Sequence, residues 1–288
     1  MVVADAPLEV LESGLDALEF SRVAAPPRWR RVVTVALPKV CAVVVLIGAW
    51  QLVVSLGMKP TYVIPPPLDV WHDFTDLLGT GQITEMIWTS LRRGVVGYLA
   101  AIAIGTPLGL LIARVRFVRL AIGSLVAGLQ TLPSVVWVIP GVIWFGLTET
   151  TIYLVVILGA VPSVAQGVVS ALDSQPPLLL RVGRSMGARG VALYWHIILP
   201  GALPGYLAGL KQAWSFSWRS LMAAEIITQS PDLGFGLGQQ LNNAQVQSDM
   251  TLALMAILLI LVVGVAVDSL VFAPLDRAVR RRRGLEAA

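Results

Sequence analysis

The sequence predicts an all-α membrane protein of six spans, and two observations carry that prediction. Hydrophobic residues make up 56% of the 288 residues and charged residues only 13%, roughly half the ionic share of a soluble domain. The charge is also clumped, leaving runs of roughly 20 apolar residues, the length a helix needs to cross a ~30 Å hydrocarbon core. Such a composition excludes a water-soluble enzyme. Cys41 is the single cysteine, so no intramolecular disulfide forms; the two histidines, His72 and His196, stand outside any Cys/His cluster, so no zinc or haem ligand set is present.

The first 31 residues place Leu8, Leu11, Leu15 and Leu18 on one helical face, with Glu9, Glu12, Asp16 and Glu19 among them. This spacing predicts an acidic amphipathic helix in the cytosol, and its acidity differs from the basic start of a cleavable signal peptide. The six spans are expected at 33–56, 86–113, 118–142, 150–172, 202–228 and 250–272. Domain organisation follows: 1–31 as an N-terminal cytoplasmic segment, 32–84 as a first span with an external loop, 85–275 as the main transmembrane domain, and 276–288 as a basic tail.

Between the first two spans, Pro60 and the Pro65-Pro66-Pro67 run cannot continue a helix. An extended entry is expected there, then a short amphipathic helix carrying Val70, Trp71, Phe74, Leu77 and Leu78. On the second span Gly97, Ala101, Gly105 and Gly109 recur every fourth residue, as do Gly201, Gly205 and Gly209 on the fifth, a spacing that lets helices approach closely. Pro133, Pro140 and Pro162 are expected inside helices, whose freed carbonyls then need other donors. Gln130-Thr131-Leu132-Pro133 with Trp137 would set polar groups beside a kink near a gate, and Gln166 is a similar candidate.

Segment 173–201 is the longest internal connection. Leu178, Leu179, Val182, Met186 and Val191 to Trp195 stand among arginines at helical spacing, which predicts short helices lying against a partner or the headgroups. On the fifth span Lys211, Gln212, Ser215, Trp218, Arg219, Met222 and Glu225 share an arc of about 140°. A charge at the bilayer centre costs at least ~2.5–3.5 kcal/mol, so this face should meet the bundle interior or a water-filled path. Arg219 and Glu225 lie about 120° apart and cannot pair along the helix, so their partners lie on other helices or on a second protomer. Two readings stay open: Arg219 and Lys211 line a path for anions, or the charges form structural pairs that fix helix packing.

Orientation follows from lysine and arginine. With the N-terminus inside, Arg22, Arg28, Arg30, Arg31, Lys39, Arg114, Arg116, Arg119, Arg181, Arg184, Arg189, Arg277 and Arg280 to Arg283 are cytoplasmic, 16 of the 21 basic residues. Both termini are therefore expected in the cytoplasm. The net charge of +4 follows this topology and gives no reason to expect nucleic acid.

Gly187-Ala188-Arg189, then Ile197 and Leu199-Pro200, reproduce a spacing of glycine, nine residues, isoleucine, one residue, Leu-Pro. This resembles the signature loop of ABC importer permeases, with Arg181-Val182-Gly183 where the family motif has Glu-Ala-Ala. Further fragments resemble the nitrate, sulfonate and taurine branch of that family: Ile64 to Pro67 with Val70-Trp71, Thr89 to Arg93 with Gly97-Tyr98, Trp144 to Leu147, Trp218 to Leu221 with Ala224-Glu225, and Gly234 to Gly238. Together they run from about residue 60 to residue 276.

The resemblance implies a six-helix type I ABC importer transmembrane domain in the cytoplasmic membrane. Its partners would be a second copy of the chain, two cytosolic ATPases, an extracytoplasmic substrate-binding protein and the bilayer. It implies coupling to the ATPase through Arg184, Ser185, Met186, Gly187, Ala188, Arg189, Ile197, Leu199 and Pro200. The translocation path would use Gln130, Pro133, Trp137, Lys211, Ser215, Trp218, Arg219 and Glu225. The three lysines, Lys39, Lys59 and Lys211, stand outside any phosphate-binding G-x-x-x-x-G-K-[ST] loop, so ATP and Mg would be bound by the partner, with no cofactor in this chain and no catalytic residue. The expected solute is small and anionic, an aliphatic sulfonate or taurine, then nitrate; a pyrimidine vitamin precursor is the alternative within the class. An ion-coupled secondary transporter is the alternative outside it, though paired halves with matching interruptions are not evident.

Overall fold

The computed structural model describes residues 28–282, and side chains from Leu37 to Arg281. The acidic helix expected at residues 8–19 lies outside the described residues. Among the described residues every regular element is helical, and they divide into two units after Met58. The first holds α1, Arg28–Ser55, whose stretch Leu37–Ser55 leaves Val44, Val45 and Leu46 bare, as a helix solvated by acyl chains does.

The second unit opens with α2, Pro67–Gly79, and continues through α3, Gln82–Arg114, and α4, Arg116–Leu129. A single 3-10 turn, Ser134–Trp137, leads into α5, Val138–Phe145. There follow α6, Glu149–Asp173; α7, Pro177–Ser185; α8, Gly190–Leu193; α9, Leu199–Ile227; α10, Leu237–Gln247; α11, Met250–Val267; and α12, Ala273–Arg282. The amphipathic helix expected after the proline run is α2. Pro66 is extended and Pro67 starts the helix, where a missing N–H costs nothing. Val70 is its buried residue, while the burial of Asp73 and the carboxylates of Asp249, Asp76 and Asp69 push the Asp73 carboxyl above its usual range.

Helix α6 is the core of this unit, packed between α3 and α9. Ile152, Val155, Val156, Ala160, Val164 and Ala165 on it are wholly buried. The α3 stripe faces it, as do Gly205 and Gly209 of the α9 stripe, while Gly201 packs on Gln175 just past its end. A Cβ added to Gly97, Gly105 or Gly109 would overlap Val156, Val164 or the Ala165 carbonyl, and one added to Gly167 would stand 2.8 Å from the Gly209 Cα. Backbone contact of this kind is what gives small residues their value between membrane helices, where lipid is as apolar as leucine.

The segment expected as one span at 118–142 departs from that expectation. It is two helical pieces, Arg116–Leu129 and Ser134–Phe145, bent by 100°. Pro133 stands in the break rather than inside a helix. The amide and the hydroxyl of Thr131 both donate to the Gly128 carbonyl, at 3.0 and 2.7 Å, closing α4. Pro133 then takes an extended conformation and contributes no N–H. Pro162 is inside α6 and Pro140 inside α5, as expected.

Two further prolines are passed without a break. Leu199-Pro200 does not interrupt its helix, which runs on from Gly190 to Ile227 through a π turn at Tyr194–Ile198. The sixth span likewise extends past residue 272 through a π turn at Asp268–Phe272, just before Ala273-Pro274. In each, the amide ahead of the proline reaches back five residues, Leu199 to Tyr194 and Ala273 to Asp268. A widened turn moves the carbonyl that a proline ring would otherwise strike.

Candidate functional site

Among the described residues, polar chemistry is gathered in the loop 173–201, in a cavity on α4, α6 and α9, and in a buried charge cluster at the far end of the bundle from that loop.

The loop is built as two helical pieces joined at Gly187. The Gly187 amide donates to the Arg184 carbonyl at 3.1 Å and the Ala188 amide to the Gly183 carbonyl at 3.0 Å. This double closure of α7 requires a left-handed residue, and Gly187 has φ +86°. Inside the turn, Gly183 is buried against Leu193 and Ile197. Gln175 Nε2 donates to the Ile198 carbonyl at 3.1 Å and so ties the loop's two ends together. Arg114 of α3 lies over the Tyr194 ring, 3.1 Å from its centroid.

Of the nine residues nominated for coupling, Ile197 turns inward to Gly183. Ala188 and Leu199 are half-buried, and Arg184, Ser185, Met186, Gly187, Arg189 and Pro200 are exposed. A bare apolar surface lies beside them: Leu178 is 67% exposed, Met186 81%, Val191 73% and Trp195 66%.

Four of the eight residues nominated for the path come together. Gln130, Pro133, Trp137 and Arg219 line one cavity of about 340 Å³, with Thr131, Ser134 and Phe216. The break before α5 creates it, because an unbroken helix would carry Pro133 and Trp137 onward instead of folding them back beside α9. Arg219 Nε donates to the Ser215 carbonyl at 3.1 Å, and its guanidinium lies 4.6 Å from the Phe216 centroid. Among the described residues it has no carboxylate partner.

The other four lie elsewhere, so the polar arc expected on the fifth span is divided. Lys211 pairs with Asp268 at 2.9 Å beside α12. Ser215 is exposed and donates to the Lys211 carbonyl at 3.4 Å. Trp218 is buried and donates from Nε1 to the Ile260 carbonyl at 3.2 Å. Glu225 is wholly buried in the charge cluster.

In that cluster Glu225 Oε1 accepts from Arg93 Nη1 at 3.0 Å, and Oε2 accepts from the Ser90 hydroxyl at 2.7 Å and the Gly238 amide at 3.0 Å. Arg93, equally buried, also donates to the Gly234 carbonyl at 3.0 Å and to Glu149 at 3.3 Å. The Leu237 amide donates to Ser90 at 2.8 Å. The partner of Glu225 on another helix, expected from the sequence, is therefore Arg93. Ser90, Arg93 and Glu149 were not nominated as site residues. The signal available was that a buried glutamate demands a cation at its own depth, and Arg92-Arg93 stand at the matching end of the second span. The Gly234-Phe235-Gly236-Leu237-Gly238 run has the same origin, since a Cβ at Gly236 would lie 2.6 Å from Glu225 Oε1 and one at Gly238 2.6 Å from its Cβ.

Comparison with known proteins places this geometry. The chain is 30% identical over 217 residues to the taurine transport system permease protein TauC of Escherichia coli, covering 72% of this chain and 78% of TauC. It is 26% identical over 242 residues to the nitrate import permease protein NrtB of Leptolyngbya laminosa, 82% of this chain and 85% of that one. A solved inward-facing structure of the MetNI methionine ABC transporter superposes with TM-score 0.58 at 19% identity, over 68% of this chain and 95% of that one. That likeness gives the fold: an all-α type I ABC importer transmembrane domain. The chain is a multi-pass permease subunit and not an enzyme, with ATP hydrolysis carried by a separate subunit. The sequence profile of the binding-protein-dependent transport system inner membrane component matches residues 105–281, more than half of the chain, and the chain belongs to that family.

Proposed function

We propose that two copies of this chain form the translocation path of an ATP-driven importer for a small anionic solute, an aliphatic sulfonate or taurine first and nitrate next. The observation that carries this reading is Arg219, a cation without a carboxylate partner among the described residues, in a cavity with Gln130, Thr131 and Ser134. A structural ion pair within the chain would have answered the charge with a carboxylate of the same chain. Here the one wholly buried carboxylate nearby on α9, Glu225, is taken by Arg93. An exposed guanidinium with no carboxylate of its own chain is answered by water, by the second copy or by a passing anion, and the neutral polar lining around it supports the anion. The taurine and nitrate names of two relatives support the same class.

In this reading both termini and the loop 173–201 face the cytoplasm, and an extracytoplasmic binding protein delivers the solute on the other side. The exposed Met186, Val191 and Trp195 seat on the ATPase, which binds ATP and Mg. ATP binding draws the two loops together and swings the permease from inward-open to outward-open; hydrolysis resets it.

Replacing Arg219 with glutamine tests the path. A charge-assisted hydrogen bond contributes about 1.5–3 kcal/mol, so uptake of taurine or ethanesulfonate into proteoliposomes should fall roughly 10- to 100-fold. Solute affinity of the binding protein should stay as it is. Loss of the folded dimer in the Arg219→Gln variant would instead make Arg219 a packing residue, and preferred uptake of a neutral pyrimidine would move the substrate class.

A further inference from the structure

A second cavity, of about 210 Å³, lies between α6 and α9 on the loop side of the Arg219 cavity. Gln130 belongs to both. Its other polar walls are Ser163, Gln166, Ser170 and Gln212, and the close approach of Gly167 to Gly209 forms part of its lining. Unlike the Arg219 cavity it carries no charged side chain. Its volume equals that of about seven waters, enough for a solute of a few heavy atoms.

The polar groups here have nothing to bond among the described residues. Ser163 is 4% exposed and its hydroxyl has no hydrogen-bond partner among the described residues. The side-chain amides of Gln130, Gln166 and Gln212 and the hydroxyl of Ser170 likewise make no hydrogen bond among them. Ser163 is the buried member of this set, Gln130 and Gln166 are half-buried and Ser170 and Gln212 stand exposed at the mouth; an unanswered hydroxyl buried as Ser163 is costs a few kcal/mol in a membrane interior. Packing does not require them, because the glycine contact beside them already sets the helix approach. Something that fills the cavity answers them.

We infer that this cavity is a second solute subsite, which holds the oxyanion group of the transported solute by neutral hydrogen bonds alone. The inference rests on the anion-path reading above and adds the ligand chemistry of its inner stage. Each carboxamide offers two N–H donors and each hydroxyl one, matching the several acceptor oxygens of a sulfonate or nitrate. Neutral donors hold an anion more weakly than a guanidinium does, so an anion that has reached this cavity leaves it more readily than it leaves Arg219. Gln130 at the end of α4 is the group common to both stages. The two lie along α6 from Gly159 to Ser170, a distance of about 16 Å at 1.5 Å per residue.

The test uses cysteine protection in membranes holding the full chain. With Cys41→Ser as background, Gln212→Cys is labelled with a small maleimide in the presence of taurine, ethanesulfonate or nitrate, each alone. At least one should slow labelling severalfold, with choline at equal ionic strength giving no protection; protection by none overturns the subsite. In proteoliposomes with the ATPases and the binding protein, Ser163→Ala and Gln166→Leu should each lower uptake by about tenfold, the loss of one or two hydrogen bonds to an anion, and raise the ATP spent per solute moved. If these variants transport normally while Arg219→Gln does not, the subsite falls and the anion path stands. If none of the three changes uptake, both fall. If Gln212→Leu separates the dimer in detergent, the carboxamides are contacts between copies and the subsite is overturned.

Discussion

Replacing Arg93 with glutamine is expected to remove most of the folded permease from the membrane. The guanidinium and the Glu225 carboxylate are both wholly buried, 3.0 Å apart. Breaking such a pair from one side leaves an uncompensated charge and costs about 3–5 kcal/mol, a large part of a typical domain's stability. Arg93 also holds the Gly234 carbonyl and Glu149, so its loss frees the segment from Thr228 to Leu237 that joins α9 to α10. Glu225→Gln should be milder, because Arg93 keeps the Glu149 carboxylate at 3.3 Å and the carboxamide oxygen still accepts from Ser90 and the Gly238 amide. The double variant Arg93→Leu with Glu225→Leu should recover part of the loss, since it leaves no buried charge. Fluorescence-detected gel filtration and thermal unfolding in detergent read all three. A stable Arg93→Gln protein would mean that the far-end loop is held by something other than this pair.

Gly187→Val is expected to abolish ATP-driven uptake while leaving the permease assembled. At φ +86° a β-branched residue is strained, although an added Cβ would meet nothing within 4 Å. The cost to folding is thus backbone strain alone, about 1–2 kcal/mol, at an exposed turn. The consequence for function is larger. Without the closure from Ala188 to Gly183, α7 and α8 no longer present Met186 and Val191 in one fixed relation, and the surface proposed above to seat on the ATPase loses its geometry. Gly187→Asn, which tolerates left-handed backbone, should keep most of the uptake. Equal uptake by wild type and Gly187→Val would show that this turn does not couple the chain to its ATPase.

The spans were legible in the sequence because charge marks their ends. Gln82–Arg114 and Glu149–Asp173 begin and end within a few residues of where Glu85, Arg114, Glu149 and Asp173 set them. The glycine stripes were legible for a similar reason, since a four-residue period of small side chains has little use in a helix except close approach. The break at Gln130 to Pro133 was not. Proline there reads as a kink or as a full reversal, and the choice is made by the Thr131 bonds to Gly128 and by room beside α9, which are tertiary facts.

The polar arc of the fifth span shows the same limit. Its angular spacing is real, but Lys211, Arg219 and Glu225 meet different neighbours, and only the fold says that Glu225 is answered by Arg93 while Arg219 is answered by no carboxylate of the described chain. The two π turns were likewise out of reach, because a proline predicts that one hydrogen bond is lost and not how the helix accommodates the loss.

The most direct test of the account is to purify the chain from its native membrane in mild detergent and identify by mass what accompanies it. A stoichiometric cytosolic subunit with a phosphate-binding G-x-x-x-x-G-K-[ST] loop is expected, and a complex that takes up taurine, an alkanesulfonate or nitrate only with ATP and its binding protein. A chain that purifies alone and moves solute down an ion gradient without ATP would contradict it.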